Sequence, residues 1–506
     1  MKKSRLFSIL SFILLIVVSL IFTYYVFRSQ LIPIRLLVLS AVLFIIVLCL
    51  LFLLIFRSNH RFLTVLGGIL CLVLCLVLLA STLYLNRAVR AAQNITTTKT
   101  EVATIGVYML RDTSDESTAL TSDLSYGILD QQDRENTDKV IDKLEEELGT
   151  SLNVKSYENI SKLFDALIGQ DVDAVIVNSA FLHLLTETEG YENLPDQLRE
   201  IHKTQIIAET TASDPAPTSR PSKKFFNLLP KEKEKKDCFV LYISGVDTRE
   251  DELIEKSRSD VNVLAVVNPN THQILLLTTP RDYYVTLKFP DFTSYIKDKL
   301  THAGMYGVQV SMDTLGLLYD INVDYYFRVN FHGFVDIVDA MGGVTVDVEK
   351  EFWSDLEMHD YHYTAGPNLM DGEKALVFVR TRKNIGDQQR GHNHMSFIKG
   401  VIDKATSTDM LLRFDDILTS VEGSFETSMP YDVMSSLVRD QIESGAKWNI
   451  VSYAVTGTGD SAMTYSMDIP LFVFIPDMST VDTAKGLIQQ VLNGETIQAP
   501  EESSNP

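Results

Sequence analysis

Cysteine is scarce in this chain. The four present are Cys49, Cys71, Cys75 and Cys238, three in long apolar runs and one in a short apolar run, so no disulfide framework is available. Cys71 and Cys75 stand one helical turn apart, but in a leucine-rich run that spacing reads as packing rather than as a redox or metal pair. Basic residues are outnumbered, 45 Lys and Arg against 66 Asp and Glu, for a formal net charge of −21. That balance excludes nucleic acid, whose phosphate backbone demands a basic surface. No Ser-His-Asp arrangement is legible. His359, His362, His392 and His394 lack a third-ligand spacing for zinc and read as loop histidines, and Gly457-Thr458-Gly459-Asp460 reads as a simple loop.

Charge is nearly absent from residues 6–27, 34–56 and 62–85, each long enough to cross about 30 Å of hydrocarbon. They predict three transmembrane helices within an anchor over residues 1–90. The first run exceeds the roughly 7–15 apolar residues of a signal peptide and no small-residue cleavage site follows it, so it reads as a retained anchor. Lys2, Lys3 and Arg5, with Arg57 and Arg61, outweigh Arg28 and Arg35, which predicts a cytoplasmic N-terminus and everything after about residue 86 outside the cell.

The exterior part divides by composition. Residues 100–210 alternate β-rich runs with helical stripes at 137–148, 160–168 and 180–188, a small accessory α/β domain without a glycine-rich phosphate loop. Residues 211–236 are rich in Thr, Pro, Ser and Lys and read as a linker. Residues 237–497 read as a larger α/β domain, with helices at 310–319 and 331–341 among strands that include VTVDV, ALVFVR and WNIVSYAV. The stripe Phe331, Phe334, Val335, Val338 reads as a core face. Residues 498–506 read as a disordered tail.

Within the larger domain, five segments set arginine beside acid or amide at the ends of apolar runs. They are Gly245-Val246-Asp247-Thr248-Arg249, Arg258-Ser259-Asp260, Pro280-Arg281-Asp282, Arg380-Thr381-Arg382 and Asp387-Gln388-Gln389-Arg390. The runs at 238–246, 261–267 and 274–279 read as buried strands. Asn268-Pro269-Asn270-Thr271 joins the last two as an antiparallel hairpin, which brings Asp260 opposite the region of Arg281 and puts Asp247 at the same edge. Any one such pair reads as a surface salt bridge. Several at strand ends read as an anionic site, because the planar guanidinium donates paired hydrogen bonds to phosphate and two aspartates can share a hard cation such as Mg²⁺.

These residues resemble the LytR-CpsA-Psr (LCP) family, and within it the streptococcal CpsA type. The likeness extends through Asp298-Lys299-Leu300-Thr301-His302-Ala303, Ala340-Met341-Gly342-Gly343-Val344 and Gly372-Glu373-Lys374-Ala375-Leu376. The resemblance implies a membrane-anchored α/β protein with a central mixed sheet in its catalytic domain. It implies an enzyme that moves a glycopolymer, capsular polysaccharide for the CpsA type, from a polyprenyl-pyrophosphate carrier to peptidoglycan. Residue by residue, it implies Asp247 and Asp260 as Mg²⁺ ligands and, with Arg258, as the catalytic set. Arg249, Arg258, Arg281, Lys299, Arg380, Arg382 and Arg390 are implied as pyrophosphate-binding. His394 stands where the family usually has glutamine. Implied partners are the lipid-linked glycan, peptidoglycan, membrane lipid and other capsule-assembly membrane proteins. A membrane-bound regulator of capsule expression, or a noncatalytic polyprenyl-pyrophosphate binder or pyrophosphatase, is the competing expectation, and glycosyl and phosphoglycosyl transfer both stay open.

Overall fold

The computed structural model describes residues 2–29, 34–57, 60–97, 100–111, 120–185, 188, 190–209, 237–246, 256–289, 292–355 and 360–498. Asp247, Arg249, His359, the expected linker and residues 499–506 of the expected tail lie outside them, as does the side chain of Asp387.

Helices α1 (Lys2–Ser29), α2 (Ile34–Phe56) and α3 (Arg61–Thr97) are each long and apolar enough to cross a membrane. The third continues past its apolar run, without a break, to Thr97. The hydroxyl of Ser8 donates to Thr64 O at 2.7 Å, so the N-terminal ends of α1 and α3 lie together and the two helices run parallel. Gly68 permits this approach, since a Cβ there would lie 2.8 Å from Ser8 Oγ and 3.0 Å from its Cα. Cys71 and Cys75 are buried in the seam with Leu15 and Ile55, as packing residues.

Among the described residues, β1 (Thr100–Leu110), β2 (Ser125–Leu129), β3 (Asn153–Tyr157), β4 (Ala174–Asn178) and β5 (Leu198–Glu209) form a mixed sheet in the order β3-β2-β4-β1-β5. The short, glycine-containing β2 is not among the sequence expectations. Alternation decides what each face buries. Ile128 and Ile176 meet Val140 and Leu144 of helix Arg134–Leu148, whereas Val175 and Val177 meet Leu163 and Phe164 of helix Ile160–Ile168 and Phe181 of helix Ser179–Leu185.

The larger unit holds β6 (Phe239–Val246), β7 (Ser259–Asn268), β8 (Gln273–Thr278), β9 (Tyr284–Phe289), β10 (Phe292–Lys299), β11 (Tyr325–Val329), β12 (Val344–Val348), β13 (Phe352–Trp353), β14 (His362–Tyr363), β15 (Gly366–Met370), β16 (Phe425–Thr427), β17 (Asn449–Ala454), β18 (Gly457–Thr464) and β19 (Met467–Pro476). Its central mixed sheet runs β16-β11-β6-β7-β8-β17. The β7–β8 hairpin is antiparallel, with Val263 opposite Thr278, and β6 runs antiparallel to β7. Tyr242, Leu264, Leu275 and Leu277 pack on helices Val308–Tyr319 and Met478–Asn493. On the opposite face, Ala265 and Leu276 meet Met395 of helix Gly386–Ala405. Each fully buried leucine contributes about 1.5–3 kcal/mol of transfer free energy.

Three expectations need correction. His392 and His394 are not loop histidines but lie within helix Gly386–Ala405, with His394 buried, and His362 stands in β14. ALVFVR is not a strand but the body of helix Gly372–Arg380, because the Asp371 carboxylate caps it by accepting from Lys374 N at 2.9 Å. A good N-cap contributes about 1 kcal/mol and here outweighs the strand propensity of Val377 and Val379. Gly457-Thr458-Gly459-Asp460 is not a loop but the start of β18, whose partner β19 supplies the apolar side chains of that hairpin. The Phe331 stripe is a core face only in part: Val338 is buried and Phe334 packs on the Phe397 ring, but Phe331 is half-buried.

The units touch. The rings of Phe181 and Tyr306 lie 5.8 Å apart, and Met305, Met467 and Leu471 join the accessory core. Helix Phe414–Ser420 packs along α3, and the Tyr431 hydroxyl donates to Ser29 O at 3.3 Å.

Candidate functional site

The site is built at one edge of the central sheet, where β6 and β8 end and β7 begins. Asp260 is the second residue of β7, and Arg281 follows the end of β8 in a turn held by Tyr283 N donating to Pro280 O. Arg281 Nη1 donates to Asp260 Oδ1 at 2.8 Å, with both side chains 16% exposed. Segment 298–303 lies alongside: Thr301 N donates to Arg281 O at 2.8 Å and Leu300 N to Tyr283 O at 2.9 Å. This delivers Lys299, only 4% exposed, to 3.3 Å from Asp282 Oδ1, and Thr301 Oγ1 to 3.4 Å from Asp260 Oδ1. Gly304 closes the packing, since a Cβ there would meet Ser257 O at 2.5 Å, beside half-buried Arg258.

Two buried polar networks brace this edge. Beneath it, the Tyr242 hydroxyl donates to Asn262 Oδ1 at 2.7 Å and lies 2.8 Å from Ser259 Oγ, which is itself 2.7 Å from Ser244 Oγ. Burial raises the Tyr242 phenol pKa, so it stays protonated and donates. Ser259, between Arg258 and Asp260, is thereby held in place. Behind it, the fully buried Asp298 carboxylate accepts from Lys299 N at 2.7 Å, Ser466 N at 3.1 Å and the Ser466 hydroxyl at 2.6 Å, and lies 2.6 Å from His302 Nδ1. A buried carboxylate with this many donors is compensated for its desolvation.

The remaining arginines approach on two helices. Helix Gly386–Ala405 crosses the end of β8, where a Cβ on Gly391 would stand 3.5 Å from Thr278 Cγ2, so Arg390 neighbours the strand end that leads to Arg281. His394, one turn on, is buried and donates from Nε2 to Val379 O at 2.9 Å. That bond ties this helix to the C-terminus of helix Gly372–Arg380. Burial, and then the Arg390 cation, push the His394 pKa down to about 3. It is a neutral strut between the two helices. Arg380 lies over the Phe331 ring at 4.2 Å, and Arg382 is exposed, its backbone N–H donating to Asp355 at 3.0 Å.

The edge thus joins Asp260, Arg281 and Lys299 directly, with Arg258 and Arg390 on adjoining backbone and Arg380 and Arg382 beyond His394. Asp282, Thr301, Asp298, His302 and Ser466 were not singled out as site residues from sequence. Asp282 stood in one of the five arginine segments and Asp298, Thr301 and His302 in the family-like stretch 298–303, but no site role was read for them, and Ser466 gave no signal. Tyr242 offered none, since a tyrosine in an apolar strand reads as core. Buried Arg328 on β11, opposite Ser244, was also missed; it pairs with Glu426 through Nε at 2.8 Å and Nη2 at 2.5 Å. Among the described residues, no group of three or more His, Cys, Asp or Glu could hold a metal ion. His362 pairs with Glu351 and His392 with Glu349.

Residues 201–473 match the model of the LytR_cpsA_psr family. The polyisoprenyl-teichoic acid–peptidoglycan teichoic acid transferase TagU of Bacillus subtilis (strain 168) is 32% identical over 228 residues, 44% of this chain and 70% of that protein. TagT of the same organism, which carries the same transferase name, is 35% identical over 193 residues, 37% of this chain and 58% of its own. The crystal structure of B. subtilis TagV aligns with a TM-score of 0.43 at 26% identity, covering 52% of this chain and 100% of that one. With more than half its length inside the family model, this chain belongs to the LytR-CpsA-Psr family.

Proposed function

We propose that this chain is an LCP-type transferase that moves a polyprenyl-pyrophosphate-linked glycopolymer onto peptidoglycan. The observation that carries the reading is the Asp260–Arg281–Asp282–Lys299 network at the sheet edge, with Arg390 on the adjoining helix. It is a cluster of cations fixed by buried polar groups, in a chain whose relatives are named as polyisoprenyl-linked teichoic acid transferases. Whether the carbon–oxygen or the phosphoanhydride bond breaks, the leaving carrier phosphate gains negative charge. Arginine and lysine aimed at those oxygens stabilise that charge as it develops. The attacking sugar hydroxyl must lose its proton, and Asp260, a carboxylate at this edge, is the group we propose takes it.

We propose a divalent cation, Mg²⁺ by its preference for hard oxygen ligands, held by Asp260 together with Asp247, as the family resemblance implies. Both described hydrogen bonds to Asp260 fall on Oδ1, leaving Oδ2 as the oxygen for a cation. When bound, such an ion would supply further positive charge to the phosphates.

The polymer we propose is capsular polysaccharide, on the resemblance to the CpsA type. We place the domains after α3 outside the cell. Parallel α1 and α3 put Lys2, Lys3, Arg5, Arg57 and Arg61 at one end of the anchor and Ser29, which bonds to Tyr431, at the other.

The test is the glycopolymer covalently retained on purified walls of cells lacking paralogues, with Asp260→Ala and Arg281→Ala variants at matched membrane expression. Loss of attachment in both, with polymer shed or stalled on lipid, is expected. Unchanged attachment would overturn the assignment.

A further inference from the structure

Between the accessory unit and the β18–β19 hairpin lies a cleft of about 350 Å³. Asp130, Gln132, Glu158 and Asn159 line one side; Thr464, Tyr465 and flanking methionines line the other. Gln132 and Thr464 are each only 5% exposed, yet Gln132 Oε1 and Thr464 Oγ1 have no hydrogen-bond partner among the described residues. Each such buried orphan costs about 1–3 kcal/mol unless something satisfies it. The Gln132 amide is oriented, because its Nε2 donates to Tyr465 O at 3.3 Å and leaves Oε1 as the accepting end.

We infer that this cleft binds an uncharged, hydroxyl- and amide-bearing glycan strand. The buried orphans are neutral groups that want hydroxyl or amide partners. The exposed carboxylates of Asp130 and Glu158 at the rim repel phosphate and pyrophosphate, so the site does not duplicate the cationic edge. A cationic ligand is the weaker fit, because Glu158 is already paired with Lys162 at 2.5 Å. Carboxylates and amides that bridge sugar hydroxyls, beside half-buried Tyr465 and the exposed Met463 side chain that can cover an apolar sugar face, are the chemistry of carbohydrate recognition.

The cleft is bonded to the reaction edge. Tyr465 N donates to Lys297 O at 3.2 Å, and neighbouring Ser466 donates twice to Asp298, the residue before Lys299. A glycan seated here lies against the β18–β19 turn, whose Tyr465 and Ser466 are bonded to the strand that delivers Lys299 to Asp282. Its assignment as the acceptor strand, peptidoglycan, rests on the transferase reading above.

The experiment titrates the full-length chain in detergent with a neutral β-1,4-linked N-acetylglucosamine tetrasaccharide. Saturable binding is expected, weakened about tenfold by Thr464→Val with Gln132→Met, as two lost hydrogen bonds predict. Asp130→Asn, at an exposed rim position that no core depends on, should weaken it by a smaller factor. The inference is overturned by no saturable binding at millimolar sugar, by equal binding in these variants, or by preference for trilysine, which would make the cleft a cation site. Arg281→Ala separates the two readings, since it should leave sugar binding intact. A wild-type chain that binds the sugar but attaches no polymer to walls sinks the transferase reading alone. One that attaches polymer without binding the sugar sinks the cleft alone.

Discussion

Arg281 Nη1 and Asp260 Oδ1 meet at 2.8 Å from opposite arms of one hairpin, and Arg281 O also receives Thr301 N–H. One residue thus faces the carboxylate with its side chain and holds the Lys299 segment with its backbone. Arg281→Lys keeps the charge and the backbone bond but loses the planar fork. Wall attachment should fall about 10-fold to 100-fold, the worth of one charge-assisted contact in a transition state. Unfolding temperature should be unchanged, and attachment rates in reconstituted membranes measure the difference.

Asp298→Ala removes four contacts made by three residues at a fully buried position and leaves His302 Nδ1 and the Ser466 backbone N–H without their acceptor. Losing one member of such a network costs about 3–5 kcal/mol. Denaturant unfolding of the purified chain should move by that amount, and Asp298→Asn, which retains part of the acceptor capacity, by less.

His394 gives a signed pH dependence. Its pKa in the folded chain is pushed down to about 3, below the ordinary histidine value of 6.5. The unfolded chain therefore binds a proton between those limits that the folded chain refuses. Its contribution to stability is complete above about pH 6.5 and is lost as the pH falls toward 3. His394→Gln should flatten the acid limb of a stability–pH profile and leave attachment near pH 7 nearly unaltered. An unchanged acid limb would remove His394 as its source.

Gly304 has helical dihedrals, so its role is spatial rather than conformational. Gly304→Ala forces a methyl to within 2.5 Å of Ser257 O and displaces the segment carrying Arg258 and Asp260. A stability loss of about 1–3 kcal/mol is expected, with a larger fall in attachment than Ala at an exposed site such as Gln309 produces.

Chelation tests the proposed cation. Treatment of reconstituted protein with a chelator should stop transfer reversibly, and added Mg²⁺ should restore it. In Asp260→Asn the restoring concentration should rise. Transfer indifferent to chelator would leave the arginines and lysine as the whole of the charge stabilisation.

Much of this protein is written locally. Three nearly charge-free runs become helices long and apolar enough to cross a membrane, a form in which a single segment pairs its own backbone groups. The apolar runs around Asn268-Pro269-Asn270-Thr271 become a hairpin because turn chemistry and strand alternation agree, and that register alone carries Asp260 toward Arg281. Arg258 and Arg281 were readable for the same reason, since they flank the ends of β7 and β8, whereas Arg380 and Arg390 stand on helices. Tertiary structure decided the rest. Cross-strand pairing drew Gly457–Asp460 into a strand, whereas the ALVFVR helix begins at a local signal, the Asp371 cap three residues before Lys374. The bonds from Asp298 to Ser466 and from Gln132 to Tyr465 span more than 160 and 330 residues respectively. No local propensity encodes such contacts, because they exist only once two separately folded surfaces are brought together, and on them depend both the bracing of Lys299 and the cleft beside it.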